Sequence, residues 1–197
     1  MKILVFGDSI GYGYYDDKGG WTRRLIEHCE EKNGPRVINL SVDGSTTKDV
    51  IKTIRADVEK VTAGSESTVI IALGINDSSV LHSSKNFIIP LPDFNLNINW
   101  LINEVRNLTP NVIFVGLAPI VEEKLQNWKD ERSYSSEFVN EFDSVIRNLC
   151  QHKRVPYIDL RDLTPDDLHK DGLHPNSSGH KKIFERVRDV LLKRKLI

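Results

Sequence analysis

The chain has few cysteines, with only Cys29 and Cys150 among its 197 residues. Both fall in segments of helical periodicity. They have neither the spacing of metal ligands nor the density of a disulfide-stabilised secreted domain. We therefore expect both to be small core residues in a reducing compartment, and we predict a cytoplasmic protein.

Long apolar runs and an excess of charge of one sign are also missing. The run between Lys2 and Gly7 is too short for a secretory signal, and no run approaches the length that crosses a bilayer. The formal net charge of -1 provides no field that would attract nucleic acid or an anionic membrane. We therefore expect no nucleic-acid partner and no membrane span. The oligomeric state leaves no signature in the sequence.

What is present is an alternation of short apolar runs with segments of helical periodicity. This alternation predicts a three-layer α/β/α fold around a five-stranded parallel sheet, similar to flavodoxin. The length and a hydrophobic content of 39% suit a single domain over residues 1–197. The expected strands are 2–6, 36–40, 68–73, 111–117 and 155–160. The expected helices are 20–32, 50–61, 94–108, 138–149 and a last helix that Asn176 caps.

Pro156 lies in the last expected strand. A proline cannot donate a backbone hydrogen bond to a sheet, so this strand should lie at an edge or begin at the proline.

Four short motifs each follow one of the expected strands. They are Gly7-Asp8-Ser9-Ile10, Gly44, Gly74-Ile75-Asn76-Asp77 and Asp171-Gly172-Leu173-His174. The carboxyl ends of parallel strands meet at one edge of the sheet, where ligands bind in open α/β folds. The motifs should therefore lie close together. Asp8 is expected only to cap the turn that follows it.

Taken in order, the motifs resemble the sequence blocks of the SGNH hydrolases, also called the GDSL esterases and lipases. The first block has isoleucine at its fourth position here, and the resemblance runs from residue 7 to residue 174. It implies a serine hydrolase that cleaves a small-molecule ester through an acyl-enzyme, with neither a metal nor an organic cofactor.

The resemblance also implies a role for each site residue. Ser9 would be the nucleophile, His174 its base and Asp171 the carboxylate that holds the imidazole. A serine hydroxyl needs such a base, and the base needs one ring nitrogen free and the other held. The backbone N–H groups of Ser9 and Gly44, with the side-chain amide of Asn76, would form the oxyanion hole.

An alternative from another class is nucleotide binding. The spacing of Gly7, Gly11 and Gly13 after the first strand also resembles the glycine pattern of short-chain dehydrogenases, and Asp43 could meet a ribose. This interpretation leaves the third and fourth motifs without a use.

Two loops, 78–92 and 119–134, are expected to form the walls of the substrate pocket, since loops carry specificity. Whether His82 and Trp128 line that pocket is left open. His169 and His180 are expected on the surface or at the start of a helix.

Overall fold

The computed structural model describes residues 1–62 and 65–197. The strands are β1 (Lys2–Gly7), β2 (Arg36–Asn39), β3 (Ser67–Ala72), β4 (Val80–Leu81), β5 (Asn111–Val115), β6 (Arg132–Ser133) and β7 (Tyr157–Ile158). The α-helices are α1 (Ser9–Tyr12), α2 (Gly20–Glu31), α3 (Thr47–Thr62), α4 (Leu91–Leu108), α5 (Ser136–Lys153) and α6 (Ser177–Lys193). Two 3₁₀ turns are Glu122–Lys124 and Pro165–Asp167.

Five of the strands form one sheet in the order β2-β1-β3-β5-β7, and each neighbouring pair in it is parallel. Helices cover both of its faces. The predicted α/β fold class is confirmed.

The core lies on both faces of the sheet because successive side chains of a strand point to opposite sides. Leu4 and Phe6 of β1 pack with residues of α3, α4 and α5, whereas Ile3 and Val5 pack with residues of α2 and α6. Each of these four side chains is at most 1% exposed. Burying such a side chain contributes roughly 1.5–3 kcal/mol, which explains why β1 is a continuous apolar run.

The last strand of the sheet is shorter than predicted. Of the expected residues 155–160, only Tyr157 and Ile158 form β7. Pro156 has no N–H to donate, although its carbonyl still accepts from the N–H of Phe114. The predicted edge position is confirmed, because β7 is the outermost strand beside β5.

Helix α4 begins at Leu91, three residues earlier than expected. Pro92 lies in its first turn, where a missing N–H costs nothing because those N–H groups have no partner within the helix. Both cysteines are buried and free, as predicted. Among the helices of the described residues, none combines the length and the apolar character needed to cross a bilayer.

The two loops expected to form pocket walls pair with each other. β4 and β6 make a small antiparallel sheet, with Val80 opposite Ser133 and Leu81 opposite Arg132. The two loops are therefore fixed to one another by main-chain hydrogen bonds, one of which runs from the His82 N–H to the Glu131 carbonyl at 2.9 Å.

Glycines account for the close approach of α2 to the segment that follows α1. Gly20 has a φ of +78°, and a Cβ there would lie 2.3 Å from the Cα of Gly13. Gly44 has a similar φ of +71°, but a Cβ there would have no neighbour within 4 Å. Both positions have a left-handed backbone conformation, but only Gly20 also lacks the space for a Cβ.

We expect Gly20→Ala to lower the free energy of unfolding by about 3 kcal/mol or more, since it adds a backbone clash to left-handed strain. Gly44→Ala should lower it by only about 1–2 kcal/mol, the cost of the strain alone. Urea denaturation of both variants measures the difference. Equal losses would show that the contact between Gly13 and Gly20 is not tight.

Candidate active site

The first candidate residue, Ser9, begins the single helical turn α1 at the end of β1. The Asp8 carboxylate caps this turn by accepting from the N–H of Ile10 at 2.9 Å. This is the capping role expected for Asp8. Ser9 is 5% exposed, so its hydroxyl lies just beneath the surface of the sheet edge.

His174 lies in a tight loop that Asp171 organises. One carboxylate oxygen of Asp171 accepts from the backbone N–H groups of Leu173 (2.9 Å) and His174 (3.1 Å). The other oxygen lies 2.8 Å from Nδ1 of the His174 ring. The three-residue separation therefore lets one carboxylate hold both the loop and the imidazole.

The structure brings Ser9 and His174 together although 165 residues separate them. Nε2 of His174 lies 2.9 Å from Oγ of Ser9. Because a carboxylate only accepts hydrogen bonds, the proton on Nδ1 points to Asp171, and Nε2 is left to accept from the serine hydroxyl. This is the arrangement in which an imidazole can remove the proton of a serine as it attacks.

Asp171 is ionised in this setting. Its partial burial acts to raise its pKa, but the hydrogen bonds from His174 and from the Leu173 N–H outweigh burial and lower the pKa to about 2. A negative charge is thus kept beside Nδ1, where it stabilises an imidazolium.

The two other oxyanion-hole candidates lie on loops that touch. The side-chain amide of Asn76, after β3, donates to the carbonyl of Ser45 at 3.1 Å. Ser45 follows Gly44 in the loop after β2, so this bond joins the second and third motifs. The space beside the Cα of Gly44 is open, which lets a ligand approach the main chain there.

Asp77 joins the loop after β3 to the start of α3, which follows the Gly44 loop. Its buried carboxylate accepts from the backbone N–H of Thr47 at 3.0 Å and from the Thr47 hydroxyl at 2.5 Å. Burial raises the pKa of Asp77 to about 6, against the opposing effect of those hydrogen bonds. This role of Asp77 was not predicted, although its place in the Gly74-Ile75-Asn76-Asp77 motif was the available signal.

The glycines that suggested a nucleotide site have packing roles. A Cβ at Gly7 or Gly11 would lie 2.8 or 2.5 Å from the Ser41 hydroxyl, and Gly13 packs against Gly20. Asp43 lies close to Tyr14, and its charge raises the pKa of that phenol. These contacts explain the glycine spacing without a bound nucleotide.

Comparison with protein families matches residues 5–182 to the GDSL-like Lipase/Acylhydrolase family. The chain belongs to this family. It is an esterase or acylhydrolase of the GDSL type, and the resemblance seen in the four motifs is confirmed.

This GDSL hydrolase is also similar, over nearly its whole length, to curated esterases. It is 26% identical over 215 residues to the isoamyl acetate-hydrolyzing esterase 1 homolog of Mus musculus, covering 98% of this chain and 82% of the relative. It is 22% identical over 213 residues to the isoamyl acetate-hydrolyzing esterase of Saccharomyces cerevisiae, covering 96% of this chain and 85% of the relative.

Solved structures share the fold of this GDSL hydrolase. The lipase/acylhydrolase from Enterococcus faecalis aligns with a TM-score of 0.78 at 24% identity, covering 98% of this chain and 97% of that chain. The acetylxylan esterase from Geobacillus stearothermophilus aligns with a TM-score of 0.72 at 19% identity, covering 95% and 92%.

His180 of this GDSL hydrolase lies in the first turn of α6, so the expected helix-start position is confirmed, but it is completely buried and the alternative surface position is wrong. Its Nδ1 accepts from the backbone N–H of Trp21 at 3.3 Å, and its Nε2 donates to the Tyr14 carbonyl at 3.2 Å. Burial lowers its pKa to about 4, which keeps the ring neutral. The sequence signal for its burial was its position three residues before Ile183, on the apolar face of α6.

The other aromatic and histidine residues divide between the site and the solvent. Trp128 lies beside His174, with ring centroids 6.0 Å apart. His169 is half-buried and stacks on Tyr15 at 4.1 Å. His82 is exposed, and its backbone bonds to the β6 side of the small sheet. Within the described residues, no three histidine, cysteine or acidic side chains are grouped as metal ligands would be.

Asp8 makes the stability of this GDSL hydrolase depend on pH. Burial raises its pKa to about 7, although the hydrogen bond from the backbone N–H of Ile10 acts to lower it. This folded-state pKa exceeds the unfolded value of about 3.9. The folded state therefore binds more protons between these values, and the stability so gained is lost as the pH rises through 7.

We expect Asp8→Asn to remove this loss. The free energy of unfolding of the variant relative to wild type should rise by about 2–3 kcal/mol between pH 5 and pH 8. Urea denaturation at both values measures it. Asp49→Asn is the control, because a hydrogen bond from Thr46 lowers the pKa of Asp49, so this carboxylate is ionised throughout the range from pH 5 to pH 8 and the change should be near zero. A pH-independent difference for Asp8→Asn would contradict a neutral carboxyl at this site.

Proposed function

We propose that the protein hydrolyses carboxylic esters with Ser9 as nucleophile, His174 as base and Asp171 as the orienting carboxylate. The observation that carries the proposal is the continuous hydrogen-bonded chain from Oγ of Ser9 through the His174 ring to Asp171, with contacts of 2.9 and 2.8 Å. Residues so distant in sequence meet in this geometry because the loops of a parallel sheet share one edge.

In the first half of the reaction Ser9 attacks the acyl carbon and His174 takes its proton. The tetrahedral intermediate then collapses, His174 gives the proton to the leaving alcohol, and an acyl-enzyme remains. In the second half a water molecule, deprotonated by the same imidazole, attacks the acyl carbon and releases the acid. Ser9 recovers its proton from His174, so the enzyme is unchanged.

We place the oxyanion between three donors. The backbone N–H of Ser9 lies in the first turn of α1, where N–H groups have no acceptor within the helix. The Asn76 amide carries two N–H bonds, of which the bond to the Ser45 carbonyl uses one. The N–H of Gly44 lies in the loop to which that bond is anchored. Such fixed donors stabilise the developing charge without having to reorganise.

Acetyl esters are the substrates we propose. The two curated relatives described above are named for isoamyl acetate hydrolysis, and a structural neighbour is named an acetylxylan esterase. These names support a short acyl group.

Ser9→Ala should abolish hydrolysis of p-nitrophenyl acetate and prevent covalent labelling by a serine-directed fluorophosphonate, because the proposed acyl-enzyme forms on Oγ of Ser9. Ser41→Ala is a matched control, since Ser41 is a buried serine whose hydroxyl has no hydrogen-bond partner among the residues that the structure describes. The control should keep both activity and label, which mass spectrometry then locates on Ser9. Retained turnover in Ser9→Ala would refute the nucleophile.

Asn76→Ala should lower kcat by about 10²–10³ with little change in KM, the loss typical of one oxyanion donor. Asn97→Ala is the control, because the Asn97 amide donates to the Thr47 hydroxyl and lies outside the proposed site. Steady-state kinetics on p-nitrophenyl acetate distinguishes the two. An effect on KM alone would assign Asn76 to substrate binding instead.

A further inference from the structure

Four aromatic side chains lie around the imidazole of His174: three neighbouring tyrosines and, linked to them through the imidazole, a tryptophan. We call Tyr12, Tyr14, Tyr15 and Trp128 the aromatic surface. The ring centroids of Tyr14, Tyr15 and Trp128 lie 6.1, 5.1 and 6.0 Å from that of His174. Tyr12 extends the surface outward, 5.4 Å from Tyr14.

The tyrosines of this surface are unusually exposed. Tyr12, Tyr14 and Tyr15 are 58%, 38% and 53% exposed, so three neighbouring rings face solvent together. Exposed aromatic residues scattered singly need no explanation, but a contiguous patch at a reactive centre marks a binding site. The patch therefore has the position and character of a substrate contact.

The segment that carries the tyrosines is held in a fixed shape. Tyr15 has a φ of +59°, a strained conformation for a bulky residue that persists only when its surroundings impose it. The buried imidazole of His180 donates to the Tyr14 carbonyl and supplies part of that constraint. Strain kept at a reactive site is typical of binding surfaces that are formed before the ligand arrives.

The position of the surface indicates which part of the ester it contacts. This step rests on the proposed function. The imidazole that protonates the leaving alcohol must lie next to the alcohol oxygen, whereas the acyl oxygen points to the oxyanion donors. Side chains packed on the imidazole therefore surround the alcohol part of the substrate and not its acyl part.

We propose that the aromatic surface binds a sugar ring, and that the preferred substrate is an O-acetylated carbohydrate. The faces of aromatic rings are negative, and they attract the C–H bonds on the flat side of a pyranose. The phenolic hydroxyls, the Asp43 carboxylate and the Lys129 ammonium, 5.9 Å from the Trp128 ring centroid, lie at the border of the surface. These groups suit the hydroxyls at the edge of a sugar, whereas a branched alkyl alcohol offers them no partner.

Tyr12 gives the sharpest test because it is the most exposed ring of the surface and has no ring contact with His174. Steady-state kinetics with a monoacetylated methyl glucopyranoside and with isoamyl acetate should be compared in wild type, Tyr12→Ala, Tyr12→Phe and Trp100→Ala. Trp100 is a matched control, an aromatic residue 39% exposed on α4.

Wild type should have the higher kcat/KM on the sugar acetate. Tyr12→Ala should raise KM for the sugar acetate about threefold to tenfold, with kcat and the KM for isoamyl acetate changed less than twofold. Tyr12→Phe keeps the ring face and loses only one of the phenolic hydroxyls, so it should restore KM to within about twofold of wild type, and Trp100→Ala should match wild type.

Equal changes on both substrates, no change in Tyr12→Ala, or a wild-type preference for isoamyl acetate would overturn the inference. Ser9→Ala distinguishes this failure from failure of the proposed function. If that variant is inactive while Tyr12→Ala resembles wild type on both esters, only the sugar site is refuted. If Ser9→Ala hydrolyses the esters like wild type, the catalytic proposal itself is refuted.

Discussion

The parallel alignment of the central strands is the constraint on which the site depends. A parallel sheet needs a crossover between every pair of neighbouring strands, so each strand ends at the same edge and each loop begins there. Oγ of Ser9 and Nε2 of His174 come within 2.9 Å in this way, although the first follows β1 and the second follows β7. An antiparallel order would place half of the loops at the opposite edge and separate these atoms.

Three carboxyl groups bind main-chain N–H groups at this edge of the sheet, and their environments differ. Asp171 receives several donors and has a pKa of about 2, so it carries the charge that an imidazolium needs. Asp8 and Asp77 are more deeply buried, and their pKa values are raised to about 7 and 6. These two carboxyls fix main chain, α1 in one case and the start of α3 in the other. Among the acidic groups at this edge, the less buried Asp171 is therefore charged, whereas the more deeply buried Asp8 and Asp77 hold the main chain in place.

Much of this could be predicted from local sequence pattern. The apolar runs identified the strands of the large sheet, and the order of four motifs after strand ends indicated which loops meet. The exceptions depend on contacts between distant segments. The burial of His180 requires α6 to pack beside Trp21, and the pairing of β4 with β6 joins loops about 50 residues apart. The roles of all five site residues, the single domain and the cytoplasmic location stay predictions; the five are Ser9, Gly44, Asn76, Asp171 and His174.

The small sheet of β4 and β6 has a consequence for how this scaffold can change. Its two strands belong to different loops, one of which begins just after Asn76 while the other carries Trp128, whose ring lies beside that of His174. An insertion in one loop would shift the main-chain partners of the other. New specificity therefore has to arise by paired changes in the two segments, and a chimera that exchanges only one of them would inherit the pocket of neither parent.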